Sequence, residues 1–179
     1  MDYYITSDLH FGHTNILKYC SNTRPFSSIE EMNQNIIDNW NNKVSDQDVV
    51  YLLGDVSFDK PSKTINILNS LNGRIRLVVG NHDGDKYLKE KEFCDRFEWI
   101  KIYNEEKIFG QHIVMMHFPI LEWNKKYHNS IMLHGHCHSK NKPILECLRY
   151  DVGIDGSSDF APYNFSKLID EIKLRRKPK

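Results

Sequence analysis

No apolar run in this 179-residue sequence approaches the ~20 residues that a membrane-spanning helix needs. Cysteine is scarce too. Cys20, Cys94, Cys137 and Cys147 share no paired spacing, and a disulfide framework is not expected in a chain of this length. Neither sign of charge is in excess, with 24 Lys and Arg against 24 Asp and Glu, so no broad basic field draws in long nucleic acid. The one basic run, Lys173 to Lys179, reads as a helix end and solvated tail. No charged leader with an apolar stretch stands between Met1 and the first strand. These absences point to one soluble, cytoplasmic domain over residues 1–179, able to bury roughly 70% of its unfolded surface.

The first half alternates strand and helix. Tyr3 to Thr6 reads as a strand, and His13 to Tyr19 as a short helix or turn that ends before Pro25. Ser27 or Ser28, with Glu30 or Glu31 three residues on, marks a helix start. The helix runs through Ile29, Met32, Ile36, Ile37 and Trp40 at helical spacing. Asp48 to Leu53 is a strand, Pro61 to Leu71 a helix stopped by Asn72-Gly73, and Arg74 to Val79 another strand. This order implies parallel pairing. The second half changes character: Phe97 to Tyr103, Lys107 to Phe109, His112 to Met116, Ser130 to Leu133 and Leu145 to Val152 read as strands with little between them. A helix from Asn164 to Lys173 closes the chain. The pattern predicts a two-sheet α/β sandwich with helices outside.

Short polar motifs recur at the ends of the strands. They are Asp8-Leu9-His10, Gly54-Asp55, Gly80-Asn81-His82-Asp83, His117 and His134-Gly135-His136-Cys137-His138. Carboxylate oxygen with imidazole nitrogen suits divalent cations such as Mn, Fe, Zn, Co or Ni. If strand alternation continues, Asp8 and His10 point to one side, as do His136 and His138, while Cys137 points away. Gly54 permits close backbone approach, and Asp55 has two oxygens with which to bridge two ions. Singly each motif is weak; five in order at strand ends describe a two-metal hydrolytic site.

With these motifs the chain resembles the calcineurin-like metallophosphoesterases, and within them a small bacterial and phage subgroup. The resemblance runs from Asp8 to His138. It implies a four-layer α/β/β/α sandwich of two mixed sheets flanked by helices. It implies two divalent ions, Mn foremost, the first on Asp8, His10, Asp55 and His138. The second ion then rests on Asp55, Asn81, His117 and His136, with Asp55 bridging. His82 becomes the catalytic histidine that is not a ligand, oriented by Asp83. The implied reaction is attack of a metal-bridging hydroxide on a phosphoester. The substrate expected is a small phosphodiester or nucleotide. A phosphomonoesterase or protein phosphatase could use the same site, a nuclease is less favoured by the neutral charge, and a scaffold that had lost the chemistry would not need the intact set.

Other residues are read against plainer alternatives. His13 can support a ligand or touch substrate phosphate, or simply start a helix. Arg24 can grip a phosphate bidentately or form a surface salt bridge. His134 is a strand residue or a support for the motif that follows it. Asp151 and Asp155 can orient ligand histidines or serve turns. Phe11, Trp123, Tyr127, Phe160 and Tyr163 lie near motifs and can stack on a base or pack in the core.

Overall fold

Period-two alternation decides which face each strand residue covers. The computed structural model of the chain describes residues 1–139 and 148–175. The first sheet contains β1 (Tyr3–Thr6), β2 (Val49–Leu52), β3 (Arg74–Val78), β4 (Phe97–Lys101) and β9 (Tyr163–Asn164), in the order β4-β3-β2-β1-β9. The β1–β4 pairs are parallel and β9 is antiparallel to β1. The second sheet has the order β5-β6-β7-β8, from β5 (Tyr103–Ile108), β6 (Gln111–Met116), β7 (Ile131–His134) and β8 (Arg149–Asp151). Here β5 and β6 are antiparallel and the remaining pairs parallel.

On one face of the first sheet Tyr4, Val50, Leu52, Ile75 and Leu77 pack against helices. These are α2 (Ile29–Lys43), α3 (Pro61–Ser70), α4 (Asp85–Leu88) and α5 (Lys91–Asp95), which contribute Met32, Ile36, Trp40, Ile65, Leu68, Tyr87 and Phe93. The alternate residues Ile5, Val49, Tyr51 and Val78 face the second sheet through Ile113, Met115, Ile131 and Leu133. The closing helix α6 (Phe165–Arg175) joins this second core with Phe165, Leu168, Ile169 and Ile172. Val114 and Met132, on the outer face of the second sheet, are covered by Trp123. Two mixed sheets flanked by helices are thus the architecture, as the strand and helix pattern predicts.

Local signals act as expected at α2: Ser28 Oγ accepts from Glu31 N at 3.1 Å, and Ser27 N donates to the Glu31 carboxylate at 2.8 Å. The short helix α1 (Ile16–Tyr19) falls inside the predicted turn. Several elements depart from the sequence reading. The short helices α4 and α5 carry too few residues for a periodic pattern, and β9 is two residues long. The predicted strand Phe97 to Tyr103 is divided: β4 ends at Lys101 and joins the first sheet beside β3, while Tyr103 opens β5 of the second sheet, whose end takes in most of the predicted strand Lys107 to Phe109. Of the predicted strand Leu145 to Val152, residues 145–147 lie outside the described residues, as do Cys147 and the tail from Arg176 onward. No helix among the described residues is long and apolar enough to cross a membrane.

Candidate metal centre

The strands stop at or just before the polar motifs, and the chain turns sharply within them. Asp8, His10 and Asp55 have φ values of 60°, 53° and 55°, and His136 and His138 have 68° and 48°. Five non-glycine residues in the left-handed region at one locus are strain held in place by the surrounding fold. Strand alternation therefore does not bring Asp8 and His10 together; consecutive left-handed turns do. The loops are tied to one another by backbone bonds, Asp8 N to Gly54 O at 3.0 Å, His10 N to Asp55 O at 3.1 Å and Gly135 N to His117 O at 3.0 Å.

Two glycines permit this interlocking. At Gly54, with φ of 87°, a Cβ would overlap the backbone of Gly80; at Gly135 it would overlap Ser7 Oγ and Asp8 Oδ2. Gly135→Ala is expected to cost about 1–3 kcal/mol through overpacking and to weaken metal binding by displacing Asp8. Thermal melting and a metal titration check this, and unchanged values of both would contradict it.

The structure gathers the candidate ligands into two groups, Asp8, His10 and His138, and Asp55, His117 and His136, with the donor atoms of each group within 4.8 Å of one another. Asp55 Oδ2 faces both groups, 3.6 Å from His10 Nε2 and 3.5 Å from His117 Nε2. Asn81 Oδ1 lies 2.9 Å from His117 Nε2. His10 Nε2 is buried and has no hydrogen-bond partner, although Asp8 Oδ1 lies at 3.8 Å and Asp55 Oδ2 at 3.6 Å. A buried polar atom without a partner is costly, and a cation among these oxygens and nitrogens would relieve it. The donor set fits divalent metal.

The second nitrogens are held in the way ligating imidazoles usually are. His117 Nδ1 lies 2.7 Å from Leu53 O, and His138 Nδ1 2.8 Å from Asp155 Oδ2. His10 Nδ1 meets His13 Nδ1 at 3.2 Å. Burial, followed by the neighbouring His10 charge, pulls His13 down to about 4, so His13 is neutral at physiological pH. With the shared proton on His10 Nδ1, His10 Nε2 keeps its lone pair for a metal. Burial penalises charge on Asp55 and His117, but the bond between them prevails: the Asp55 carboxyl is held at about 2 and His117 is pushed up to about 9. A proton on His117 thus occupies, in metal-free protein, a place that attracts positive charge.

His82 stands at the rim, its side chain 42% exposed and Nε2 3.9 Å from Asp55 Oδ2. Its backbone N–H donates to Asp55 Oδ1 at 2.9 Å. Asp83, expected to orient the His82 ring, is placed otherwise. It is buried, and its carboxylate accepts from backbone N–H of Asp55, Val56 and Gly80 at 2.8–2.9 Å. Burial lifts its carboxyl above the usual range against the pull of the Val56 and Gly80 N–H groups. Asp83 clamps two motif loops together, so its influence on the His82 ring passes through the backbone.

Arg24 corrects the sequence reading more sharply. It is buried, and its guanidinium donates through Nε to Asp155 Oδ1 at 2.9 Å and through Nη2 to Asp155 Oδ2 at 2.7 Å. Nη2 also reaches Asp8 O at 2.6 Å and Nη1 reaches Leu9 O at 3.1 Å. With its donors committed, Arg24 has no hand for a substrate phosphate, and the bond it makes is a buried ion pair and not a surface one. Asp155 lies between Arg24 and His138, in the orienting position considered for it.

The rings near the cluster are not those the sequence pointed to. Phe11 is core, Trp123 is buried beneath the second sheet, Phe160 packs on Phe26, and Tyr163 belongs to β9. Tyr127 is exposed. Instead Phe58 stacks on His13, with centroids 3.8 Å apart and planes at 11°, and lies 4.5 Å from His82. Phe118, 40% exposed, lies 5.1 Å from His117 and 4.7 Å from His136. Adjacency was the available signal for both: Phe118 follows His117 and Phe58 follows Asp55 by three residues.

Comparison with known proteins identifies the family. The chain is 41% identical over 140 residues to an uncharacterized protein of Methanocaldococcus jannaschii, a match covering 77% of this chain and 70% of that one. It is 26% identical over 162 residues to the gene 66 protein of Mycobacterium phage L5, covering 76% and 77%. Among solved structures, a protein of unknown function from Aquifex aeolicus superposes with a TM-score of 0.74 at 25% identity, over 96% of this chain and 98% of that one. An archaeal phosphodiesterase shares the fold with a TM-score of 0.53 at 21% identity, over 88% and 87%. The model of the calcineurin-like phosphoesterases matches residues 1–156. The chain belongs to the calcineurin-like phosphoesterase family, metal-dependent hydrolases of phosphoester bonds.

Proposed function

We propose that this protein is a phosphodiesterase with two divalent cations, acting on a small phosphodiester of the nucleotide class. The observation that carries the reading is Asp55 Oδ2, which faces both ligand groups at 3.6 and 3.5 Å, as a bridging carboxylate must. Asp8, His10, Asp55 and His138 would hold one ion, and Asp55, Asn81, His117 and His136 the other. Manganese is the ion proposed; Fe, Zn, Ni and Co suit the same donors. Bound there, the cations would acidify water into a nucleophile and neutralise charge on the phosphoryl oxygens.

The chain's own residues supply the rest. His82 is exposed at the rim and belongs to neither ligand group, so its ring can approach a bound phosphate. As a general acid it gives a proton to the leaving alkoxide oxygen. The His82 N–H on Asp55 Oδ1 and the Phe58 ring limit where the imidazole can swing. His13 acts through His10 by fixing its tautomer. Phe118 offers an aromatic face at the mouth for a base or aryl group.

The diester preference follows from charge. Arg24, the guanidinium considered for phosphate, is committed to Asp155, leaving it unable to offset the second charge of a terminal phosphate. An archaeal phosphodiesterase with the same fold adds support. Aryl phosphodiesters are expected to show higher kcat/KM than the matching monoesters with Mn-loaded protein. A monoester preference of about tenfold, or ~1.4 kcal/mol, would overturn the diester reading in favour of a phosphomonoesterase.

A further inference from the structure

The motif His134-Gly135-His136-Cys137-His138 contains two residues that neither ligand group uses. His134 Nδ1 or Nε2, Cys137 Sγ and an Asp151 oxygen form a separate group, their donor atoms within 4.8 Å of one another. Two of the three sit on strands in fixed register, since β7 and β8 pair His134 with Asp151. Cys137 comes from the loop beyond β7, where His136, His138 and Ser139 all have positive φ.

His134 and Asp151 already have the outer contacts that ligands of metals have. His134 is 3% exposed, and its Nδ1 lies 2.8 Å from Gly135 O. A carbonyl only accepts, so Nδ1 carries the proton and Nε2 presents a lone pair. Asp151 Oδ1 accepts from Gly153 N at 2.8 Å and Oδ2 from Ser139 N at 3.0 Å, which fixes the carboxylate while leaving lone pairs on both oxygens.

We propose that His134 Nε2, Cys137 Sγ and the Asp151 carboxylate bind a further divalent cation of the zinc class. Thiolate and carboxylate together balance two positive charges, and a set of sulfur, nitrogen and oxygen selects zinc over manganese or magnesium. Zinc bonds of ~2.0–2.3 Å place tetrahedral donors about 3.3–3.8 Å apart, closer than the 4.8 Å within which these donors lie, so the His134 and Asp151 side chains must draw together as the Cys137 loop moves inward. Water completes the tetrahedron. The ion would tie the loop bearing His136 and His138 to β8. This does not depend on the phosphodiesterase reading. Another group, Cys20, His138 and Asp155, makes a poor alternative, because the Arg24 guanidinium lies against both Asp155 oxygens and would oppose a cation.

Cobalt(II) is the probe, because a cysteine thiolate ligand gives a near-ultraviolet charge-transfer band that nitrogen and oxygen ligands do not. Metal-free, reduced protein titrated with cobalt should develop that band. Cys20→Ala should keep it, Cys137→Ser should lose it, and Asp151→Asn should need at least tenfold more cobalt to reach it. Zinc content after dialysis should fall by one ion per chain in Cys137→Ser. Absence of the band from the unsubstituted protein at saturating cobalt overturns the proposal, whatever the variants do. A band that survives Cys137→Ser, or vanishes in folded Cys20→Ala, overturns it too.

Discussion

His82→Ala is expected to lower kcat by roughly 10²–10⁴, the range for general acid–base catalysis, while both metals stay bound. The expectation rests on position. His82 is 42% exposed at the rim and belongs to neither ligand group. Its loss should shrink for substrates with good leaving groups, which need little protonation. Asn81→Ala, one residue away, should behave differently. Asn81 Oδ1 lies 2.9 Å from His117 Nε2, and its removal should weaken the second ion, with excess Mn partly restoring turnover. Metal content and leaving-group dependence of the two variants separate the roles. Loss of an ion in His82→Ala, or full activity on a poor leaving group, would remove His82 from the mechanism.

Arg24→Ala should strongly destabilise the fold. Both partners of the Arg24–Asp155 pair have fully buried side chains, and removing Arg24 leaves the buried carboxylate with only Thr23 and His138 beside it, at a cost of about 3–5 kcal/mol. For a chain of this size that lowers Tm by about 6–20 °C. The hydrogen bonds to Asp8 O and Leu9 O are lost as well, so the first ligand loop loosens. The pH dependence has a definite sign. Burial raises the Asp155 carboxyl, but Arg24 and then His138 overcome it and hold it far below the usual carboxylate range. Its stabilisation is therefore present above the unfolded value of about 3.9 and fades as pH falls toward the depressed one. Arg24→Ala should flatten that acid-side loss. A variant with unchanged Tm and raised KM would return Arg24 to the phosphate-binding role.

What the sequence made legible follows physical range. Buried strands announced themselves by apolar and β-branched runs, and α2 by spacing and a serine cap. Residues at strand ends could be expected to converge because parallel strands align their ends, and the structure does bring Asp8, His10, Asp55, Asn81, His117, His136 and His138 together. The means were not legible. Left-handed turns at Asp8, His10 and Asp55 are imposed by loop-to-loop hydrogen bonds, which no local pattern encodes. Arg24 shows the same limit: a guanidinium suits carboxylate and phosphate alike, and its choice of Asp155, 131 residues away, is set by tertiary packing. Asp83 beside His82 suggests a pair in sequence, yet the turn sends its carboxylate to the Asp55 and Val56 amides. The strand β9 exists because β1 offers it an edge.

Metal content measured together with turnover tests the central claim most directly. Metal-free protein loaded with Mn, which the thiolate group at Cys137 disfavours, should hold two ions per chain when hydrolysis of an aryl phosphodiester is saturated, and chelation should abolish turnover. A single ion per chain in fully active protein, or turnover that survives removal of the metal, would contradict the account.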